Sequence, residues 1–219
     1  MDFLNATRAI EQFAYELMLW VLFYPLTVIK VIINPGRMMD YVATESLKDE
    51  KEAYANAMRP ALFLLVSLAI GALFVPLTPQ EVAAISSSRM GKAITESLMA
   101  LLLFRMVIFT FFPITGAVIY DLFTPGSINR DTLRLPFAQQ CYIMAPYALV
   151  TSPCLILAGR GDVWAVGALV VAILWLLFAE MVFFRRRAQF GWPGTIFAAI
   201  MVFVIGELVS QTSIALLTM

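Results

Sequence analysis

Long apolar runs separated by short polar stretches dominate the hydrophobic pattern of this chain. The clearest runs cover residues 61–77, 98–123, 138–158 and 163–184, and the last extends from residue 192 to the C-terminus. Because a helix rises ~1.5 Å per residue, about 20 residues cross a hydrocarbon core of roughly 30 Å. The runs do not alternate with a period of two, which argues against a β-barrel. The pattern predicts an all-α fold, a polytopic transmembrane bundle with five spans, and we expect residues 98–123 to be its organising element.

A further apolar run, residues 13–33, carries two charges and a proline. Trp20 and Tyr24 within it are typical of the headgroup level of a membrane. We favour an interfacial or re-entrant segment, and a kinked span is the alternative. Residues 1–12 are mixed polar, so we expect no cleavable signal peptide.

The only long hydrophilic stretch follows a break at Asn34-Pro35-Gly36 and covers residues 37–59. Its alternate alanines favour a helix. We expect a charged, solvated surface helix, with a docking surface for a partner as the alternative. The sequence therefore divides into an N-terminal unit, 1–60, and the bundle, 61–219.

Composition narrows the function. The chain is 61% hydrophobic and only 14% charged, against about 25% charged in soluble proteins. Its formal net charge is zero and no block is strongly basic, so nucleic acid is not an expected partner. It contains no histidine, which removes His-ligated haem and His-dependent catalysis. With no nucleotide-binding or nucleophile motif either, we expect no enzyme, no cofactor and no metal.

The loop charges predict the orientation of the bundle. Nine lysines and arginines fall on the side that holds residues 34–60, and three fall on the other side. Because cytoplasmic loops carry the excess of positive charge, the 34–60 segment should be cytoplasmic and the C-terminus outside. We expect an integral protein of a bacterial-type cytoplasmic (inner) membrane.

Two opposite charges inside apolar runs form the most informative candidate site. Arg105 and Glu207 lie at matching depths when counted from the outer ends of their spans. Charges at one depth are expected to pair across a bundle. Ser210 and Gln211 share the Glu207 face and extend a polar stripe outward. A structural salt bridge, an ion or proton relay and a substrate contact all remain open.

Prolines inside the predicted spans are expected to kink them. Pro113 lies in the second span, and Pro146 and Pro153 lie on one face of the third. Each proline removes a backbone donor, so protein or water has to satisfy the carbonyl that is freed.

Arg185, Arg186 and Arg187 end the fourth span. They are candidates for contact with anionic lipid headgroups. Glu180 lies within reach of these arginines, so we expect it to anchor the same interface.

Gly159-Arg160-Gly161-Asp162 resembles the second aspartate motif of intramembrane aspartyl proteases and prepilin peptidases, and Asp121 would be the first aspartate. An aspartyl mechanism needs two carboxyl groups that share a proton. Here one span separates them, so they should lie at opposite faces of the membrane. We therefore expect no aspartyl dyad.

The order of these features resembles the Yip (Ypt-interacting protein) superfamily of small five-span membrane proteins and its bacterial relatives. The likeness rests on Asn34-Pro35 followed by Arg37-Met38-Met39, on the charged stretch that leads into Arg59-Pro60, and on the YIMAP pattern of residues 142–146. The resemblance implies a membrane organiser or trafficking partner without catalytic residues.

Two functions follow from these features. The leading expectation is a non-enzymatic accessory or scaffold subunit that assembles with other integral membrane proteins, in a hetero-complex or a homo-oligomer within the lipid bilayer. The alternative is a small transporter or channel that uses Arg105 and Glu207.

Overall fold

A computed structural model describes residues 18, 20–49, 52–124, 128–188 and 190–218, and all regular secondary structure in them is helical. The helices are α1 (Trp20–Ile33), α2 (Pro35–Glu45), α3 (Pro60–Phe74), α4 (Pro79–Ile85), α5 (Arg89–Thr95), α6 (Leu98–Leu122), α7 (Arg130–Gly159), α8 (Val163–Arg187) and α9 (Trp192–Thr218). The all-α prediction is confirmed. The expectations for residues 1–12 and for the start of the 13–33 run lie outside the described residues.

Four helices, α6 to α9, are long and apolar enough to cross a membrane. They correspond to four of the five predicted spans. The remaining prediction, residues 61–77, coincides with α3, which has only 15 residues and is therefore about 22 Å long. Residues 76–78 beyond it are not helical, and the Arg160 guanidinium donates to the Pro76 carbonyl at 2.9 Å.

The bundle is organised around α7 rather than around residues 98–123. In its most apolar stretch 56% of α7 is buried, against 17% of α6. Helix α3 packs parallel to α7, while α6 and α8 pack antiparallel to it. Polar side chains explain this position, because a helix that carries buried amides and hydroxyls needs protein partners along its length. Helix α7 buries two glutamines, Gln139 and Gln140, besides Thr151 and Ser152.

Helices α6 and α7 continue through the prolines that were expected to kink them: Pro113 lies inside α6, and Pro146 and Pro153 lie inside α7. The ring of Pro153 deprives the Leu149 carbonyl of its helical donor. Gly71 of α3 lies against this carbonyl, and a Cβ added there would be 3.4 Å from the oxygen. The absence of a side chain at Gly71 thus lets α3 cover the freed carbonyl.

Helix α1 runs antiparallel to α3. Three contacts set this direction: the Tyr24 hydroxyl donates to Ser67 Oγ at 3.1 Å, the Met58 amide donates to Thr27 Oγ1 at 3.2 Å, and Lys30 Nζ donates to the Asn56 carbonyl at 2.9 Å. The described part of the 13–33 run therefore lies along the bundle rather than flat across one end. The interfacial or re-entrant interpretation and the alternative of a kinked span stay predictions.

The expected charged helix of residues 37–59 is shorter and more buried than predicted. Helix α2 ends at Glu45, whose side chain is buried and accepts from the Tyr54 amide at 2.6 Å and from Lys48 Nζ at 2.7 Å. The hydrogen bond from Lys48 lowers the pKa of Glu45. These bonds hold Tyr54 at a φ of 66°, which ends any helix there. Met38, Met39 and Val42 are buried, so α2 packs on the bundle instead of being solvated.

Candidate functional site

Arg105 is positioned by the start of α6. The Ser97 hydroxyl caps this helix by accepting from the Ala100 amide at 3.0 Å. Arg105 follows about two turns later and is half-buried. Its guanidinium donates to Ser152 Oγ of α7 at 2.9 Å, so a hydroxyl on the central helix fixes the direction of the charge.

Glu207 is positioned by a close approach of α9 to α6. A Cβ at Gly206 would lie 2.2 Å from the ring of Phe112, so only glycine admits this ring. The Phe112 ring in turn lies 6.0 Å from the ring of Tyr147. The Tyr147 hydroxyl donates to Glu207 Oε1 at 3.1 Å. A second side chain of α7 thereby holds the carboxylate.

Arg105 and Glu207 do not form the direct ion pair expected from their depths. No N–O contact within 4.0 Å joins them in the described part of the chain. Each contacts a different α7 side chain, and both line one cavity of about 240 Å³ between α6, α7 and α9. Ser210 and Gln211 of the predicted polar stripe line the same cavity. The structure thus brings the four predicted polar residues together around a space.

The cavity is lined by one positively charged and one negatively charged side chain. A guanidinium carries five N–H donors in a fixed plane, and a carboxylate only accepts. Arg105 and Glu207 supply these two groups, while the hydroxyls of Tyr147 and Ser152 are already hydrogen-bonded to them. The cavity is smaller than the roughly 300–1,000 Å³ of sites for drug-sized molecules. It suits a small solute that carries both a negative and a positive group.

Helix α4 closes the cavity end of the bundle. Its Glu81 accepts from Arg160, in the turn between α7 and α8, at 3.1 and 2.9 Å. These hydrogen bonds lower the pKa of Glu81 to about 2. Sequence reasoning missed this contact, because neither residue lies in an apolar run.

The three arginines at the end of α8 all contact protein. Arg186 and Arg187 contact Asp40 of α2 at 2.9 and 3.2 Å, and Arg187 also donates to the Met39 carbonyl. Arg185 donates to the Phe190 carbonyl and lies over the ring of Trp192. Arg186 and Arg187 thereby fasten α2 to the bundle, and Arg185 binds the segment that leads into α9. Their predicted contact with lipid headgroups stays a prediction, for which Arg185 and Arg186 are exposed.

Glu180 does not join these arginines. Its side chain is fully buried, and its Oε2 accepts from Gln140 Nε2 at 2.8 Å. Sequence reasoning missed Gln140 as a functional candidate. The signal was present, since two adjacent amides in an apolar run require partners inside the protein.

Asp121 and Asp162 lie at opposite ends of α7, as their spacing predicted. Asp121 accepts from the Thr132 hydroxyl at 2.8 Å, near the start of α7. Asp162 follows α7 and caps α8 by accepting from the Trp164 amide at 2.8 Å. These two carboxyl groups therefore do not meet in the described part of the chain.

The cavity that Arg105 and Glu207 share is therefore the candidate site of this chain. No family model matches the chain, and no curated protein or solved structure matches it either. The resemblance to the Yip superfamily stays a prediction.

Proposed function

We propose that this protein is a small, non-enzymatic membrane transporter that binds a zwitterionic solute between Arg105 and Glu207. One observation carries the proposal: two opposite charges line one cavity at membrane depth without contacting each other. Charges inside spans are costly, and they commonly mark pathways of ions or substrates. A purely structural salt bridge would bring the two groups into contact.

The positions of the two charges support a solute that spans them. An anionic group of the solute would accept from Arg105, and its cationic group would donate to Glu207. Tyr147 and Ser152 orient the two protein charges from α7, so these hydroxyls act as positioning groups. The small volume excludes bulky side chains and favours compact amino acids, whose ammonium group has N–H donors for Glu207.

Binding to purified protein in lipid nanodiscs tests this proposal. A panel of small zwitterions should include at least one that raises Tm, since a ligand that binds only the folded state stabilises it. Arg105→Gln and Glu207→Gln should each abolish that increase. Arg130→Gln is the matched control, because this exposed arginine lies at the far end of α7 from Ser152 and does not line the cavity, and it should keep the full ligand response.

Uptake into liposomes then separates transport from binding. Protein with both cavity charges should accumulate the stabilising solute, and either single variant should stop uptake while remaining folded. If no zwitterion stabilises the protein, or if Arg105→Gln,Glu207→Gln responds like the unchanged chain, the proposal fails.

An accessory or scaffold role is the second candidate, favoured by the outer face of α8. Six large apolar side chains there are exposed at helical spacing: Val163, Val166, Val170, Val171, Leu174 and Phe178. A partner helix in a membrane complex would bury this face, in keeping with the Yip-like resemblance. Stoichiometric recovery of other membrane proteins after gentle detergent extraction is the expected result, and recovery of this chain alone would contradict the role.

The membrane placement belongs to the same proposal. We propose that α3 and the following residues 75–78 complete a fifth crossing, and that the arginine-rich end of the bundle faces the cytoplasm across a bacterial inner membrane. The alternation of helix directions around α7 and the surplus of basic residues at that end support this placement.

A further inference from the structure

Glu180 is a fully buried carboxyl group inside the bundle, and it does not line the cavity just described. Its side chain is 0% exposed, and Ala179, Phe183 and Phe184 beside it are equally buried. It lies two turns inside α8 from the arginines that end the helix. Its only hydrogen bond among the described residues comes from the Gln140 amide at 2.8 Å.

Two oxygen atoms at this contact have no partner. Glu180 Oε1 and Gln140 Oε1 are both buried, and neither accepts a hydrogen bond within the described residues. They belong to the two side chains that the Gln140–Glu180 bond already joins. An ionised carboxylate would leave both oxygens unsatisfied and a charge uncompensated, which is far more costly than burying a neutral acid.

Charged groups on the surrounding helices have partners other than Glu180. On α8 and α2, Arg186 and Arg187 contact Asp40. On α6, Asp121 accepts from Thr132, and the ring of Tyr120 packs on Phe183. At the loop into α9, Arg185 donates to Phe190, and Glu207 of α9 belongs to the distant cavity. No cation of the described residues lies within 4.0 Å of Glu180.

We infer that Glu180 and Gln140 form a proton-binding site, in which the neutral acid and the amide are joined by two hydrogen bonds. Gln140 Nε2–H donates to Glu180 Oε2, and a proton taken from water onto Glu180 Oε1 is donated to Gln140 Oε1. This single proton removes the charge and satisfies both orphan oxygens. The inference is independent of the proposed zwitterion cavity.

Gly116 of α6 holds the amide in this arrangement. A Cβ there would lie 2.5–2.7 Å from the amide atoms of Gln140. The amide is therefore pressed between the backbone of α6 and the carboxyl group on α8. This enclosure keeps water away from the ring of hydrogen bonds.

Infrared spectroscopy of the full chain in nanodiscs tests the inference directly. At neutral pH the unchanged protein should show the C=O stretch of a protonated carboxylic acid, and this band should move in D₂O. Glu180→Gln should remove the band. Glu207→Gln is the matched control and should leave it. If the Glu180→Gln difference spectrum shows only loss of carboxylate bands, the inference is overturned.

Gly116→Ala provides a second test that does not depend on the folding of Glu180→Gln. The added methyl group should displace the Gln140 amide, so the acid loses its acceptor and its C=O band moves to higher wavenumber. Gly167→Ala, on an open face of α8 with no atom within 4 Å of the added Cβ, should leave the band in place. An unshifted band in Gly116→Ala would overturn the two-bond ring.

Discussion

Individual polar side chains of α7 donate to backbone carbonyls of the N-terminal part of the chain. Gln139 Nε2 donates to the Met39 carbonyl at 2.8 Å, and the Tyr142 hydroxyl donates to the Met58 carbonyl. Both acceptors belong to the N-terminal 60 residues. Because hydrocarbon offers no water to such groups, each of these bonds fastens the N-terminal segment to α7.

The contact between Glu81 and Arg160 makes the stability of the cavity end depend on pH. The pKa of Glu81 falls from 4.5 to about 2 in the folded protein. A carboxyl group with a lowered pKa stabilises the fold above its unfolded value and loses that contribution as the pH falls through the folded value. We expect the difference in Tm between the unchanged chain and Glu81→Gln to be constant above pH 4.5 and to shrink toward pH 2.

Thermal unfolding in detergent across that pH range measures this effect. Glu96→Gln, which removes another exposed carboxylate at the same end, is the control for the loss of a surface charge. A Glu81→Gln difference that does not change with pH would contradict the role of the ion pair.

The sequence predicted how deep Arg105 and Glu207 lie along their helices, but not which side of each helix faces which neighbour. Counting along the spans placed Arg105 and Glu207 at one level, and both do line one cavity. It did not identify Ser152 and Tyr147 as their partners. A partner depends on how each helix is turned about its axis, and apolar side chains surround these helices too evenly to reveal that angle.

At the scale of elements, the packing of α9 on α6 depends on Gly206, against which the ring of Phe112 lies closely. Gly206→Ala would place a methyl group 2.2 Å from the ring of Phe112. Phe112 is buried and has little room to move, so we expect a loss of about 1–3 kcal/mol in the free energy of unfolding. Denaturant titration in mixed micelles measures it.

Gly167→Ala is the matched control on α8. Nothing lies within 4 Å of its added Cβ, and alanine is the better helix former by roughly 0.5–1 kcal/mol. The two substitutions should therefore have opposite signs. Equal effects would mean that the contact with Phe112 does not constrain the packing.

Helix existence was predictable from the apolar runs, whereas helix ends were not. Helix α7 begins at Arg130, eight residues before the predicted start of its span. Asn129 and Thr132 form a capping box there, so the helix extends into polar sequence that a hydropathy pattern cannot assign. Local capping also explains the early end of α2, where the Glu45 carboxylate binds a turn instead of a helical neighbour.

At the scale of the whole molecule, the two ends of the bundle differ in charge and are expected to face different compartments. Leu47 lies at the arginine-rich end and is 88% exposed, and Glu96 is exposed at the other end. With Cys141 and Cys154 replaced by alanine, Glu96→Cys should react with an impermeant maleimide on intact cells. Leu47→Cys should react only after the cells are opened.

Labelling of both positions in intact cells, or of Leu47→Cys alone, would contradict the proposed orientation. Prior blocking with a permeant maleimide should abolish both signals and is the control for accessibility. The charge bias that predicts this outcome is visible in the sequence, but the docking of α2 that brings Asp40 to the arginines is not. That contact joins residues almost 150 positions apart.

Because α3 is short, the fit of this protein to a membrane depends on the thickness of the bilayer. In the proposed fifth crossing the helical part, α3, is about 22 Å long, which is less than a hydrocarbon core of roughly 30 Å, and the non-helical residues 75–78 have to complete the path. Lipid tails beside it have to shorten or tilt, at a cost of a fraction of a kcal/mol per ångström of mismatch. The molecule is therefore expected to deform the membrane asymmetrically and to collect where acyl chains are short, so that its distribution follows lipid composition.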